Sequence, residues 1–196
     1  MEKQSSSQER RSETHITGLP ARFRGVTLKN FEYSESRVPK EYGQACYNFA
    51  KGKYRENCLL LCGAVGNGKS HLAIATLKNI EARRTGRVLF MLADEMFTEL
   101  NYAATNYENK ARLIKHYLTD FDCLCIDGLE KDRFTDAVRE NLYMIINKAY
   151  FEASRIIITT NLSMDAFRDL DERIFSRLNE MSIILPFSWD DYRLKK

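Results

Sequence analysis

Gly63-Ala64-Val65-Gly66-Asn67-Gly68-Lys69-Ser70 decides the fold of this 196-residue chain. The stretch fits G-x-x-x-x-G-K-[ST] at every position. The run Cys58-Leu59-Leu60-Leu61-Cys62 before it reads as a buried strand, and Leu72, Ala73, Ala75, Thr76 and Ile80 after it recur at helical spacing. Between a strand and a helix, glycines let the backbone turn its N–H groups inward toward phosphate oxygens. The unpaired amides and dipole of the new helix favour the same anion. Lys69 then supplies a cation to the β- and γ-phosphates, and the Ser70 hydroxyl a ligand for magnesium. The expected nucleotide contacts are Gly63, Ala64, Val65, Gly66, Asn67, Gly68, Lys69, Ser70 and, one residue on, His71. A glycine-rich turn that binds nothing would not need Lys-Ser directly after its last glycine. His71 reads as a packed or hydrogen-bonded residue rather than a catalyst.

Outward from the loop, further short apolar runs occupy 88–92, 123–126, 156–160 and 183–185. They are apolar throughout and often β-branched, the pattern of strands covered on both faces. With the run at 58–62 they predict a mostly parallel, five-stranded sheet. Val138, Leu142, Ile145, Ile146 and Ala149 form one apolar helical stripe. Asp94 is placed to cap a helix through Met96, Phe97 and Leu100, and Ser163 a short one at Met164–Leu170. A further helix is expected over 39–51. Alternating strands and helices give a three-layer α/β sandwich of the P-loop type.

The second chemical signal is Phe121-Asp122-Cys123-Leu124-Cys125-Ile126-Asp127, an apolar strand that ends on a carboxylate. Such an aspartate sits beside the magnesium in P-loop proteins, so Ser70 and Asp127 form the expected metal pair. The plain alternative is an acidic residue at a strand end. Many ATPases of this kind carry a second acid at the next position, to orient and deprotonate water. Here that residue is Gly128; Glu130 and Asp132 follow within a few residues and are the candidates to reach the water in its place. Binding of ATP is therefore better supported than its hydrolysis.

Composition bounds the rest. Hydrophobic residues make up 44% and charged residues 29% of the chain, the balance of an ordinary globule. The formal charge of +3 is too small to argue for nucleic acid. No run reaches the ~20 apolar residues of a membrane span, and the polar start lacks the apolar stretch of a secretion signal. The chain therefore reads as cytoplasmic. Residues 1–14 are polar and charged and are expected to be disordered, with one ATPase domain over 15–196. Four of the five cysteines lie on two apolar runs, which favours small core residues over zinc ligands.

With both nucleotide motifs in place, the chain resembles the DnaC/IstB branch of AAA+ ATPases, which holds helicase loaders and a transposition-helper ATPase. The resemblance spans nearly the whole chain. It is carried by Leu19-Pro20-Ala21-Arg22-Phe23-Arg24 with Asn30-Phe31, by Gly68-Lys69-Ser70-His71-Leu72-Ala73 and by Ile158-Thr159-Thr160-Asn161-Leu162-Ser163. Two more segments join them, Glu172-Arg173-Ile174-Phe175-Ser176-Arg177-Leu178 and Trp189-Asp190-Asp191-Tyr192-Arg193. It implies that Asn161 meets the γ-phosphate or the attacking water. It also implies that Arg177 reaches a neighbouring subunit's site as an arginine finger, and that Arg193 contacts phosphate in its own chain. Lys69, Asp127, Asn161 and Arg177 are the implied catalytic set. Plain readings stand beside these: a loop-starting Asn, a solvated helix Arg and a frayed tail. Two departures stand out, Gly128 and a chain that begins almost at the ATPase module. From the short stretch after the last strand, no C-terminal helical lid is expected.

The family also implies single-stranded DNA, a helicase partner and ATP-dependent self-assembly. A helical segment over 95–118 offers Tyr102, Tyr107, Lys110, Arg112, Lys115 and Tyr117, aromatics for bases and cations for phosphates. Leu113, Ile114 and Leu118 argue that one of its faces is core. The leading expectation is an ATP-driven helicase loader of a phage, plasmid or other mobile element. The rival is a nucleotide-switched DNA-binding adaptor, such as a transposition regulator, with little hydrolysis. A small-molecule kinase lacks any acceptor-site signature here.

Overall fold

A computed structural model of the chain describes residues 16–34, 38–84, 86–103, 107–130 and 134–188, apart from the side chains of Arg84 and Tyr107. The expected 1–14 tail, Asp132, and Arg193 with its flanking motif lie outside these residues. Among the described residues six strands form one sheet: β1 (Ile16–Thr17), β2 (Cys58–Gly63), β3 (Val88–Leu92), β4 (Cys123–Leu129), β5 (Ile156–Thr160) and β6 (Ser182–Phe187). Their order is β1-β3-β4-β5-β2-β6, and every pairing is parallel. The sheet therefore has six strands rather than the five expected. The additional one is two residues long and pairs Ile16 with Val88 at the edge. Two residues show no period, so only the pairing reveals them.

Among the described residues seven α-helices cover the sheet: α1 (Lys40–Ala50), α2 (Lys69–Arg84), α3 (Ala93–Tyr102), α4 (Tyr107–Thr119), α5 (Asp136–Glu152), α6 (Met164–Leu170) and α7 (Glu172–Met181). One face of the sheet packs Leu59, Leu61, Cys123, Cys125 and Ile157 against α1 and α2. The other packs Leu60, Leu124, Ile126, Ile156 and Ile158 against α3, α4, α5, α6 and α7. This is why the strands carry no polar alternation. Each buried aliphatic side chain stabilises by about 2 kcal/mol relative to exposure. All five cysteines are free and buried in these layers. Burial pushes the Cys58 and Cys123 thiols up to about 12, so both stay neutral and pack as small apolar groups.

Two local expectations are corrected. Asp94 does not cap α3: the helix leaves β3 so directly that Leu92 occupies the cap, and Asp94 falls in the first turn, where its charge favours the dipole. The segment 95–118 is not one helix but α3 and α4 in succession. Ser163 does cap α6, its Oγ accepting from the Ala166 N–H at 3.1 Å.

Candidate nucleotide-binding site

β2 ends at Gly63 with φ +129°. A Cβ on that residue would lie 1.9 Å from the Phe187 carbonyl oxygen, so no side chain fits where β6 runs alongside. The Ala64 N–H donates to the same oxygen at 3.2 Å. The loop is thus braced by the neighbouring strand before it turns. At its far end the Phe31 ring lies where a Cβ on Gly68 would approach within 2.6 Å. Lys69 opens α2, and its Nζ donates to the Gly63 and Ala64 carbonyls at 2.7 and 2.5 Å. The ammonium therefore lies over the loop. A phosphate oxygen, being charged, is a stronger acceptor than either carbonyl.

Loop residues 65–71 line a cavity of about 460 Å³. Across it stand Asp127, Gly128, Glu130, Thr159, Thr160 and Asn161. β5 lies between β2 and β4, which places the ends of all three strands at this one opening. Ligands of open parallel sheets bind outside the carboxyl ends of the strands.

Asp127 is buried at 5% exposure. Its Oδ1 accepts from the Thr159 hydroxyl at 2.6 Å, and that hydroxyl accepts from the Gly128 N–H at 2.9 Å. Thr160 donates to the Leu129 carbonyl at 2.6 Å, and the Asn161 N–H to the same carbonyl at 3.3 Å. The end of β5 therefore holds the carboxylate strand by hydroxyls as well as by its ladder. Sequence reasoning gave no separate role to Thr159. The signal was present: two hydroxyls end an otherwise all-isoleucine buried strand, and buried hydroxyls need partners. Gly128 has φ +80°, and a Cβ there would meet nothing within 4 Å. An acid at this position would have room but a strained backbone.

The leading segment contributes Arg22 and Phe23 to the cavity wall, which the sequence reading did not anticipate. The Arg22 guanidinium lies 4.5 Å from the Phe23 ring centroid. Lys78 of α2 pins this segment, its Nζ donating to the carbonyls of Phe23, Arg24 and Val26 at 2.9, 2.5 and 3.1 Å. Burial lowers the pKa of Lys78. The His71 Nε2 lies 3.1 Å from the Thr27 carbonyl, and its ring meets Phe31 edge-on at 5.0 Å. His71 thus lines the cavity and also anchors its wall.

Arg177 does not line this cavity. It lies on α7 over the Tyr143 and Tyr150 rings, 5.3 and 5.8 Å from their centroids, and donates to the Arg173 carbonyl at 3.1 Å. Of the proposed DNA contacts, Tyr117 is removed. It is 3% exposed, and its hydroxyl donates to Glu99 at 2.5 Å, because α4 turns that face into the core. Lys110 is half-buried and donates to Asn141 at 2.9 Å. Tyr102, 80% exposed, remains at the surface with Arg112 and Lys115.

The oxygens of Ser70 and Asp127 share the cavity, a hard donor set that fits magnesium. Magnesium keeps several waters and takes few protein ligands beside phosphate. No helix of the described residues is long and apolar enough to cross a membrane.

A family model described as IstB-like ATP binding protein matches residues 1–196. The chain is 28% identical over 140 residues to the chromosomal replication initiator protein DnaA of Cereibacter sphaeroides, covering 71% of this chain and 30% of that protein. The chain thus spans about a third of the length of that curated relative. Among solved structures it resembles the DnaC helicase loader, with TM-score 0.72 and 25% identity over 86% of this chain and 100% of that one. It shares the fold of the replication initiator DnaA bound to AMPPCP and single-stranded DNA, with TM-score 0.64 and 21% identity over 87% of this chain and 52% of that one.

Proposed function

Because this chain belongs to the family of IstB-like ATP binding proteins, we propose that it binds ATP with magnesium and uses it to load a replicative helicase. One observation carries the reading: the phosphate loop, Asp127 and Asn161 converge on one cavity from three adjacent strand ends. The likeness to the DnaC helicase loader over 86% of this chain supports the loading role.

In this reading the amides of 66–70 and the Lys69 ammonium grip the β- and γ-phosphates. Ser70 and Asp127 hold magnesium, which neutralises phosphate charge when bound. Thr159 orients the Asp127 carboxylate for that task. Asn161 hydrogen-bonds the γ-phosphate or the attacking water. Arg177, over two tyrosine rings and outside the lining of its own cavity, serves a neighbouring subunit in this reading. ATP therefore favours self-assembly, on single-stranded DNA met through Tyr102, Arg112 and Lys115, or on the helicase itself. The work is cytoplasmic, on the replication of a mobile element.

The test is twofold. Lys69→Ala is expected to weaken ATP binding roughly 100-fold, about 2.7 kcal/mol, in a calorimetric titration, with folding intact. The native chain is expected to transfer its host's replicative helicase onto a single-stranded circle only with ATP. A second reading, a nucleotide-switched adaptor with little turnover, is favoured by Gly128 in the place of an acid. A chain that binds ATP yet neither associates with the helicase nor moves it would leave that reading standing.

A further inference from the structure

β4 breaks its own alternation at one residue. Cys123 and Cys125 face α1 and α2, while Leu124 and Ile126 face the opposite layer. A regular strand would put Leu129 with Cys125, and Glu130 with Ile126. Instead Leu129 is buried with Leu124 and Ile126. The register with β5 slips between the pair Ile126–Ile158 and the pair Leu129–Thr160. Gly128, at φ +80°, takes up the extra residue, and its N–H bonds the Thr159 hydroxyl. This is a β-bulge, a device that re-aims side chains beside active sites. It returns Glu130 to the face of Asp127, where it lines the cavity with Lys69 and Asn161. On strict alternation continued past Leu129 the same glutamate would fall on the opposite face.

We propose that Glu130 is the general base of ATP hydrolysis in this chain, delivered to the phosphate loop by the Asp127–Gly128 bulge in place of an acid at position 128. The proposal rests on the reading of the cavity as an ATP site. Glu130 accepts a proton from the attacking water as the water oxygen bonds to the γ-phosphorus. The bond from that phosphorus to the β,γ-bridging oxygen breaks, and ADP leaves with the electron pair. Asp127, engaged by Thr159 and the magnesium role, does not need to take the proton.

The experiment measures ATP turnover and ATP affinity of the native chain and of Glu130→Gln, with single-stranded DNA present. Glu130 is exposed, so the amide does not disturb folding. Turnover is expected to fall at least ~100-fold with affinity unchanged, the usual scale for a lost general base. Equal turnover in both proteins overturns the assignment and leaves ATP hydrolysis standing. A native chain that binds ATP without turnover overturns the assignment together with hydrolysis, while ATP binding stands. Absence of ATP binding in the native chain overturns the site itself.

Discussion

β2 and β4 leave the same sheet toward the same cavity, and each leaves through a glycine at positive φ, +129° at Gly63 and +80° at Gly128. The reasons differ. At Gly63 the angle coincides with a steric demand, because the Phe187 carbonyl stands 1.9 Å from any Cβ. At Gly128 only the angle demands glycine, since the space beyond is open. Packing against β6 holds the first exit, and one hydroxyl of Thr159 holds the second. The loop side of the cavity is thereby set by close-packed backbone, and the acid side by a hydrogen-bonded bulge. A loop that must present many amides at once needs the stiffer support. A bulge that re-aims one carboxylate needs only its register kept.

Three substitutions would break or sharpen this contrast. Gly63→Ala forces the backbone away from Phe187 and is expected to cost on the order of 4 kcal/mol in urea unfolding and to abolish ATP binding. An alanine variant as stable as the native chain would show that the brace does not exist. Thr159→Val leaves Asp127 without its hydroxyl donor and the Gly128 N–H without an acceptor. About 2 kcal/mol of stability should be lost, with turnover falling more than nucleotide affinity in steady-state assays. Unchanged turnover would mean that the bulge keeps its register without the hydroxyl. Gly128→Ala should cost least, about 1 kcal/mol, since only the backbone angle resists the methyl group. Its ATP affinity, measured by calorimetry, should remain native; a loss as large as that of Gly63→Ala would erase the distinction.

Much of the architecture was legible in the residues. The continuous apolar runs announced strands covered on both faces, and all five appear. The position of the loop at 63–70 was legible because its signal is local, a glycine-rich turn with a strand before it and a helix after. Asp127 was legible for the same reason, as the acid that ends an apolar run. The two-residue β1 was not, because a partner strand rather than any period makes it a strand. Tyr117 misled, since an aromatic among cations looks the same whether it faces solvent or core.

What the sequence determined by itself, then, is which segments meet at the cavity: the loop after β2 and the ends of β4 and β5. Which acid after Asp127 lines the cavity was decided only by tertiary structure. In a strand, neighbours along the chain point to opposite faces, so one residue absorbed in a bulge reverses every side chain that follows. That reversal depends on how β4 pairs with β5 and on a hydroxyl 31 residues away, and neither is written in the order of residues from Asp127 to Glu130.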